Sequence, residues 1–211
     1  MVIIQWHYAC SMESTGVYWK PVYKILECPD MKVWIVNARH IKYVPGHKTD
    51  KKDSGWICKL LLAGLLKPSY IPEREQRELR DLTRYRNKLI QHVSSEKNRI
   101  VRILEDCNIK LSSVVCSLDG VVANKLIDML IDKGHVTMDD ITCIYHKKLE
   151  ASPELLYQAC EGFIEPHHIY MLQTIRKDME QTKAIIADLT CRIKEVLSPY
   201  ENVMELLQKI P

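Results

Sequence analysis

Two mainly apolar runs, stepping by three and four along the chain and interrupted in the first by the charged Arg86 and Glu96, constrain its folding more than any other feature. The first takes in Leu79, Leu82, Arg86, Leu89, Val93, Glu96, Ile100, Ile103 and Cys107, inside a helical pattern that begins at Glu73. The second takes in Leu172, Ile175, Met179, Thr182, Ile186, Leu189, Ile193 and Val196, between His168 and Leu197. Alternating steps of three and four return to one side of an α-helix, so each run predicts a long helix with a single apolar seam. Such a seam has to be covered. The two helices can cover each other as an antiparallel hairpin, or pair with a second copy as a coiled coil and make a homo-oligomer, and spacing alone allows both. Between the runs, residues 111–165 predict a helix over Asp119–Lys133, ended by Gly134, and a short one near Pro153–Glu161.

The first fifty residues carry a different period. Val2-Ile3-Ile4, the stretch ending at Cys10-Ser11-Met12, and Val33-Trp34-Ile35-Val36 are short, apolar and rich in β-formers. Val17–Glu27 places Val22, Tyr23, Ile25 and Leu26 at helical spacing, with Pro21 tolerable in a first turn. A strand, helix, strand order favours parallel pairing, and ligands of parallel sheets collect at the carboxyl ends of the strands. Glu13 is expected just past one such end.

Gly46 to Thr49 then reads as a loop leading into a helix, with Asp50 and Asp53 on one face of its first turn. Three carboxylates from separate elements, Glu13, Asp50 and Asp53, are the oxygen donors a hard divalent cation needs for phosphodiester chemistry. Acids in a first helical turn are also favoured as caps and by the helix dipole, so Asp50 and Asp53 have a purely structural reading as well.

Charge is distributed unevenly. Residues 1–110 carry 20 Lys and Arg against 12 Asp and Glu, whereas residues 111–211 carry 10 against 15. A basic first half fits a polyanion-binding face as well as an ordinary solvated surface. Arg74, Arg77, Arg80, Arg84, Arg86 and Lys88 crowd one helix around Tyr85. Arginine forks match phosphate and tyrosine stacks on bases, while Glu75, Glu78 and Asp81 offer the same arginines partners within the helix. The candidate nucleic-acid contacts are Lys48, Lys51, Lys52, Arg77, Arg80, Arg84, Tyr85 and Arg86.

Other chemistries find no support. The seven glycines form neither a phosphate-binding loop nor a dinucleotide fingerprint, and the eight cysteines contain no C-x-x-C pair, which points to reduced thiols. His167-His168 faces two directions on a helix and suits a surface role. The longest apolar run, near Leu60–Leu66, falls short of the about 20 residues a membrane span requires. With no signal-peptide pattern at its start, the chain is expected to be cytoplasmic.

Met12-Glu13-Ser14-Thr15-Gly16-Val17-Tyr18-Trp19-Lys20-Pro21, Lys48-Thr49-Asp50-Lys51-Lys52-Asp53 and Leu79-Arg80-Asp81-Leu82-Thr83-Arg84-Tyr85-Arg86 closely resemble, in order, the DEDD-type bacterial insertion-sequence transposases of insertion-sequence family one-ten. Asn98-Arg99-Ile100, Leu104-Glu105 and Asn108-Ile109-Lys110-Leu111 continue the likeness. The resemblance implies an α/β RuvC-like, RNase H-type domain followed by a long helical region and a serine-bearing domain. It implies DNA transposition guided by an element-encoded RNA, with Mg²⁺, or Mn²⁺ in its place, held by four acids. Glu13 corresponds to the second acid, and Asp50 and Asp53 to the third and fourth.

Residues 1–12 hold no Asp or Glu, and none of the serines stands in the context of the family's nucleophile. The expected organisation is therefore a partial RuvC-like domain over 1–70, a helical hairpin or coiled-coil region over 71–200, and the start of a shortened C-terminal domain over 201–211. The expected function is that of a transposase-family polypeptide, truncated at both ends, that binds DNA without full catalysis. The alternative is a non-catalytic helical module that binds nucleic acid or dimerises, and a third reading is a metal-dependent nuclease.

Overall fold

The computed structural model describes residues 9–27, 31–38, 41, 50–145 and 151–209. It divides into two compact units, residues 1–74 and 75–211. The strand expected at Val2-Ile3-Ile4 lies outside the described residues, as does the Gly46–Thr49 loop. The described residues are predominantly helical and hold one sheet of two parallel strands.

In the first unit, β1 (Ala9–Glu13) pairs with β2 (Lys32–Val36) in the register Ser11 to Trp34 and Glu13 to Val36. α1 (Trp19–Leu26) makes the crossover, stiffened by an edge-to-face contact between Trp19 and Tyr23 at 5.7 Å. The ladder runs further than the sequence indicates. Ser14 N–H donates to the Val36 carbonyl at 2.9 Å, so Glu13 is the last residue of the strand and not the first residue beyond it. On the other edge of β2, Ser69 N–H donates to the Ile35 carbonyl at 2.7 Å and Pro68 bridges Val36. Flanked on both sides, Ile35 and Val36 are fully buried. α2 (Asp50–Leu62) packs against β1, and its Ile57 and Leu60 join Val36 and Leu66 in a small core bordered by Trp34, Ile41, Trp56 and Leu61.

The second unit is built on α3 (Arg74–Asp106) and α8 (Pro166–Leu197). Cross-links descend in order along them: His168 to Asp106 at 3.2 Å, His92 to Asp178 at 2.8 Å, and Arg86 Nε to Thr190 Oγ1 at 2.7 Å. That order makes the two helices antiparallel neighbours within one chain. Every residue of both expected seams is buried or half-buried, and burial is graded. Val93, Ile100 and Cys107, with Leu172, Ile175 and Met179, are in the core, whereas Leu79, Leu82, Leu89, Ile186, Leu189 and Ile193 are half-buried. Two helices alone leave part of a seam wet, and among the described residues a third layer covers it toward the 93–107 end.

That layer comprises α4 (Leu111–Val114), α5 (Val121–Lys133), α6 (Met138–Ile144) and α7 (Pro153–Cys160). Its punctuation is local chemistry. Gly134, at φ +74°, ends α5, and Ser152 caps α7 with Pro153 in its first position. α3 ends in a Schellman motif that uses asparagine. Asn108 takes φ +59°, its N–H donates to the Glu105 carbonyl, and Ile109 N–H donates to the Leu104 carbonyl at 2.8 Å while both of those apolar side chains are buried. α4 and α6 are too short to show a period in sequence. α9 (Glu201–Gln208) follows a 3₁₀ turn at Ser198–Tyr200.

The capping box of α6 yields a pH prediction. Lys133 Nζ donates to Asp140 at 2.6 Å, and the hydroxyl and N–H of Thr137 also donate to it; together they hold this carboxyl down to about 2, from an ordinary 3.8. Because the folded value lies below the unfolded one, its contribution is complete above pH about 4 and is lost as pH falls toward 2. Asp140→Asn should flatten the stability profile over that window, read as the difference from wild type in urea unfolding. An identical profile in the variant would remove Asp140 from the account.

Candidate functional site

Glu13 owes its position to the pleat. Trp34 and Val36 face the small core under α2, and their register partners Ser11 and Glu13 share that face. Glu13 is half-buried at the carboxyl end of β1 and lines a cavity of about 490 Å³ together with Ala9, Ser11 and Met12. The opposite wall comes from α2 through Ser54, Ile57, Cys58 and Leu61. Asp50 and Asp53 fall in the first turn of α2, one turn ahead of Ser54 and Ile57 in the sequence.

A strand terminus therefore bears one carboxylate residue of the cavity, and the helix across it begins with two more. Oxygen donors of this kind suit a hard cation such as Mg²⁺ or Mn²⁺. Asp50 and Asp53 also stand in the first turn, where acids favour helix formation irrespective of any ligand. Lys51 and Lys52 belong to the same turn, and Lys48 lies outside the described residues.

The basic candidates lie on α3, at the start of the second unit. Arg80, Arg84 and Lys88 are exposed at successive steps of four, which places them in a row along one side of the helix, and Tyr85 is 51% exposed beside them. Arg77 is half-buried and engaged in interactions of its own. Arg86 differs from the others. It is half-buried in the seam and its Nε is committed to Thr190, so it ties α3 to α8.

Sequence reasoning missed a second group of candidate ligands. His92 and Glu96 on α3 meet Asp178 on α8, with one nitrogen or oxygen of each within 4.8 Å of the others. The i, i+4 spacing of His92 and Glu96 was visible in the sequence, but Asp178 joins them only through the register of the helix pair.

Among the described residues no helix is long and apolar enough to cross a membrane. No curated protein and no solved structure matches the chain. Residues 7–109 match the family model of IS110-type DEDD proteins, described as a transposase, and the matched segment stops at Ile109, the residue that closes the Schellman motif of α3.

Proposed function

The chain belongs, through residues 7–109, to the IS110-type DEDD transposase family, and from that premise we propose that it binds DNA through α3 and holds a divalent cation at Glu13, Asp50 and Asp53. The carrying observation is the position of Glu13, at the carboxyl end of a parallel strand and across a cavity from the helix whose first turn contains both aspartates. This is where parallel sheets present ligands. Mg²⁺ or Mn²⁺, when bound, supplies Lewis-acid stabilisation of charge on phosphate oxygens. The protein's share is to fix donors. The Ser14 to Val36 hydrogen bond holds the Glu13 backbone at the sheet, and Asp50 and Asp53 open the helix that forms the other wall.

Arg80, Arg84 and Lys88 offer charges at helical repeats, and Tyr85 offers a ring between them for a base or sugar. Lys48, Lys51 and Lys52 bring further positive charge into the sequence around Asp50 and Asp53. Arg77 and Arg86 contribute mainly by shaping the helix that carries this row. An RNA encoded by the element is the second nucleic acid such a surface would take. Dimerisation through the long helices is less favoured, because their seams are already occupied within the chain.

Fluorescence anisotropy with a DNA duplex over a salt series tests this reading. The logarithm of affinity should fall linearly with the logarithm of salt, and R80Q/R84Q should lower the slope by about 1 for each phosphate left without its arginine. Absence of binding even at low salt would sink it. Mn²⁺-dependent nicking that vanishes in Asp53→Ala would replace it with the nuclease reading.

A further inference from the structure

Among the described residues, one cluster of three metal-ligating side chains joins elements far apart in sequence, and we propose that His92, Glu96 and Asp178 form a binding site for a divalent transition ion of the Zn²⁺ or Co²⁺ class that clamps α3 to α8. The proposal stands apart from the reading of Glu13, Asp50 and Asp53.

The geometry is that of a ligand set interrupted by a proton. His92 and Glu96 lie one turn apart on α3, and Asp178 reaches them from the antiparallel helix. The imidazole has a carboxylate on each edge: Nδ1 is 3.8 Å from Glu96 Oε1, and Nε2 is 2.8 Å from Asp178 Oδ2. Metal bonds of about 2.0–2.2 Å place neighbouring ligand atoms roughly 3–4 Å apart. The three ligand atoms already lie within 4.8 Å of one another, so side-chain rotation alone can close the site. On binding, the ion takes the place of the proton between Nε2 and Oδ2, the proton passes to solvent, and the imidazole coordinates in its neutral form.

Burial and charge support the assignment. Glu96 is 3% exposed, the most buried charged side chain among the described residues, and sits between the buried Val93 and Ile100 of the seam. Its cationic neighbour Arg99, 2.7 Å from Oε1, is 63% exposed. A divalent ion between Glu96 and Asp178 would add positive charge beside two carboxylates, of which Glu96 is paired with Arg99. One nitrogen and two oxygens favour a borderline transition ion over Mg²⁺. His92 and Asp178, at 43% and 47% exposure, leave solvent room to complete the coordination shell. The site stands where full burial of the seam gives way to half-burial, near Val93 and Thr182. A clamp there would fix the register of the more weakly packed end.

Titration of the whole chain with Co²⁺, and then with Zn²⁺, in excess Mg²⁺ tests the proposal. Wild type should bind one equivalent that H92Q and D178N both lose, with affinity falling by roughly 100-fold in each. The rise in Tm that Zn²⁺ produces should vanish in both variants. E13Q should keep the equivalent, which separates this site from the one at the sheet. H92Q and D178N alter opposite helices at half-exposed positions, and circular dichroism verifies that each is folded. Equal stoichiometry and affinity in wild type and both variants would assign the binding to other groups, such as exposed thiols, and overturn the proposal. So would the absence of binding by wild type, which would leave the three residues as an ion-paired contact only.

Discussion

Gly162→Ala is expected to cost about 3 kcal/mol and lower Tm on the order of 10 °C, although it adds a single methyl group. The reason is where the chain returns to the end of α3. Phe163 N–H donates to the Cys107 carbonyl at 2.8 Å, which draws residue 162 against the helix terminus. A Cβ built there would lie 2.3 Å from the Cys107 carbonyl oxygen and 2.6 Å from Ile109 Cγ1. The oxygen belongs to backbone fixed by the Schellman motif, so it cannot swing aside as a side-chain tip would. Relief requires parting the return segment from α3, which breaks that hydrogen bond. Gly55→Ala is the matched control: it lies within α2 with nothing inside 4 Å of the added carbon, and should be neutral or stabilising by up to about 1 kcal/mol. Urea unfolding followed by circular dichroism measures both. A loss below about 1 kcal/mol for Gly162→Ala would show that the return segment adapts.

Leu104→Ala should cost about 3 kcal/mol, against about 1 kcal/mol for Leu89→Ala fifteen residues earlier on the same helix. Leu104 is 1% exposed, belongs to the core with Leu126, Ile127 and Leu172, and packs within the helix-terminating motif through Ile109. Its removal leaves a cavity walled by three layers that cannot all collapse. Leu89 is half-buried between two helices, where solvent and neighbouring side chains can fill the space. Equal losses at the two positions would contradict the grading of the seam and point to a further layer over residues 79–89.

The unequal legibility of the chain follows from the range of its interactions. The two long helices are readable because a seam repeats many times and each repeat restates the same face. Both described strands, the crossover helix and the placement of Asp50 and Asp53 in a first helical turn are readable from patterns of a few residues. Glu13 stands one residue earlier, relative to the strand end, than its local pattern indicates, because the hydrogen bond that prolongs β1 is accepted by Val36, across the sheet. α4 and α6 span two turns or fewer, too short for a period to stand out, and α9 lacks the side-chain cap that Ser152 gives α7. Thr137 and Asp140 form a readable cap, but the helix they start is only seven residues long. The left-handed Asn108 looks in sequence like an ordinary polar residue after a helix. Asp178 carries no local sign of a role with His92 and Glu96, since that depends on how far two helices slide past each other.

The hydroxyl of Tyr200 donates to Glu75 at 3.1 Å, at the opposite end of the helix pair from the His168 to Asp106 link. The polypeptide thus sets out along α3 and comes back along α8 to the point from which it left. At 1.5 Å per residue, the 33 residues of α3 make this an excursion of about 50 Å each way. Whole heptads could be added to or taken from both helices together, and residues 75 and 200 would still meet. The distance from residues 75 and 200 to the four-helix layer is therefore a length that paired changes in the two helices can reset.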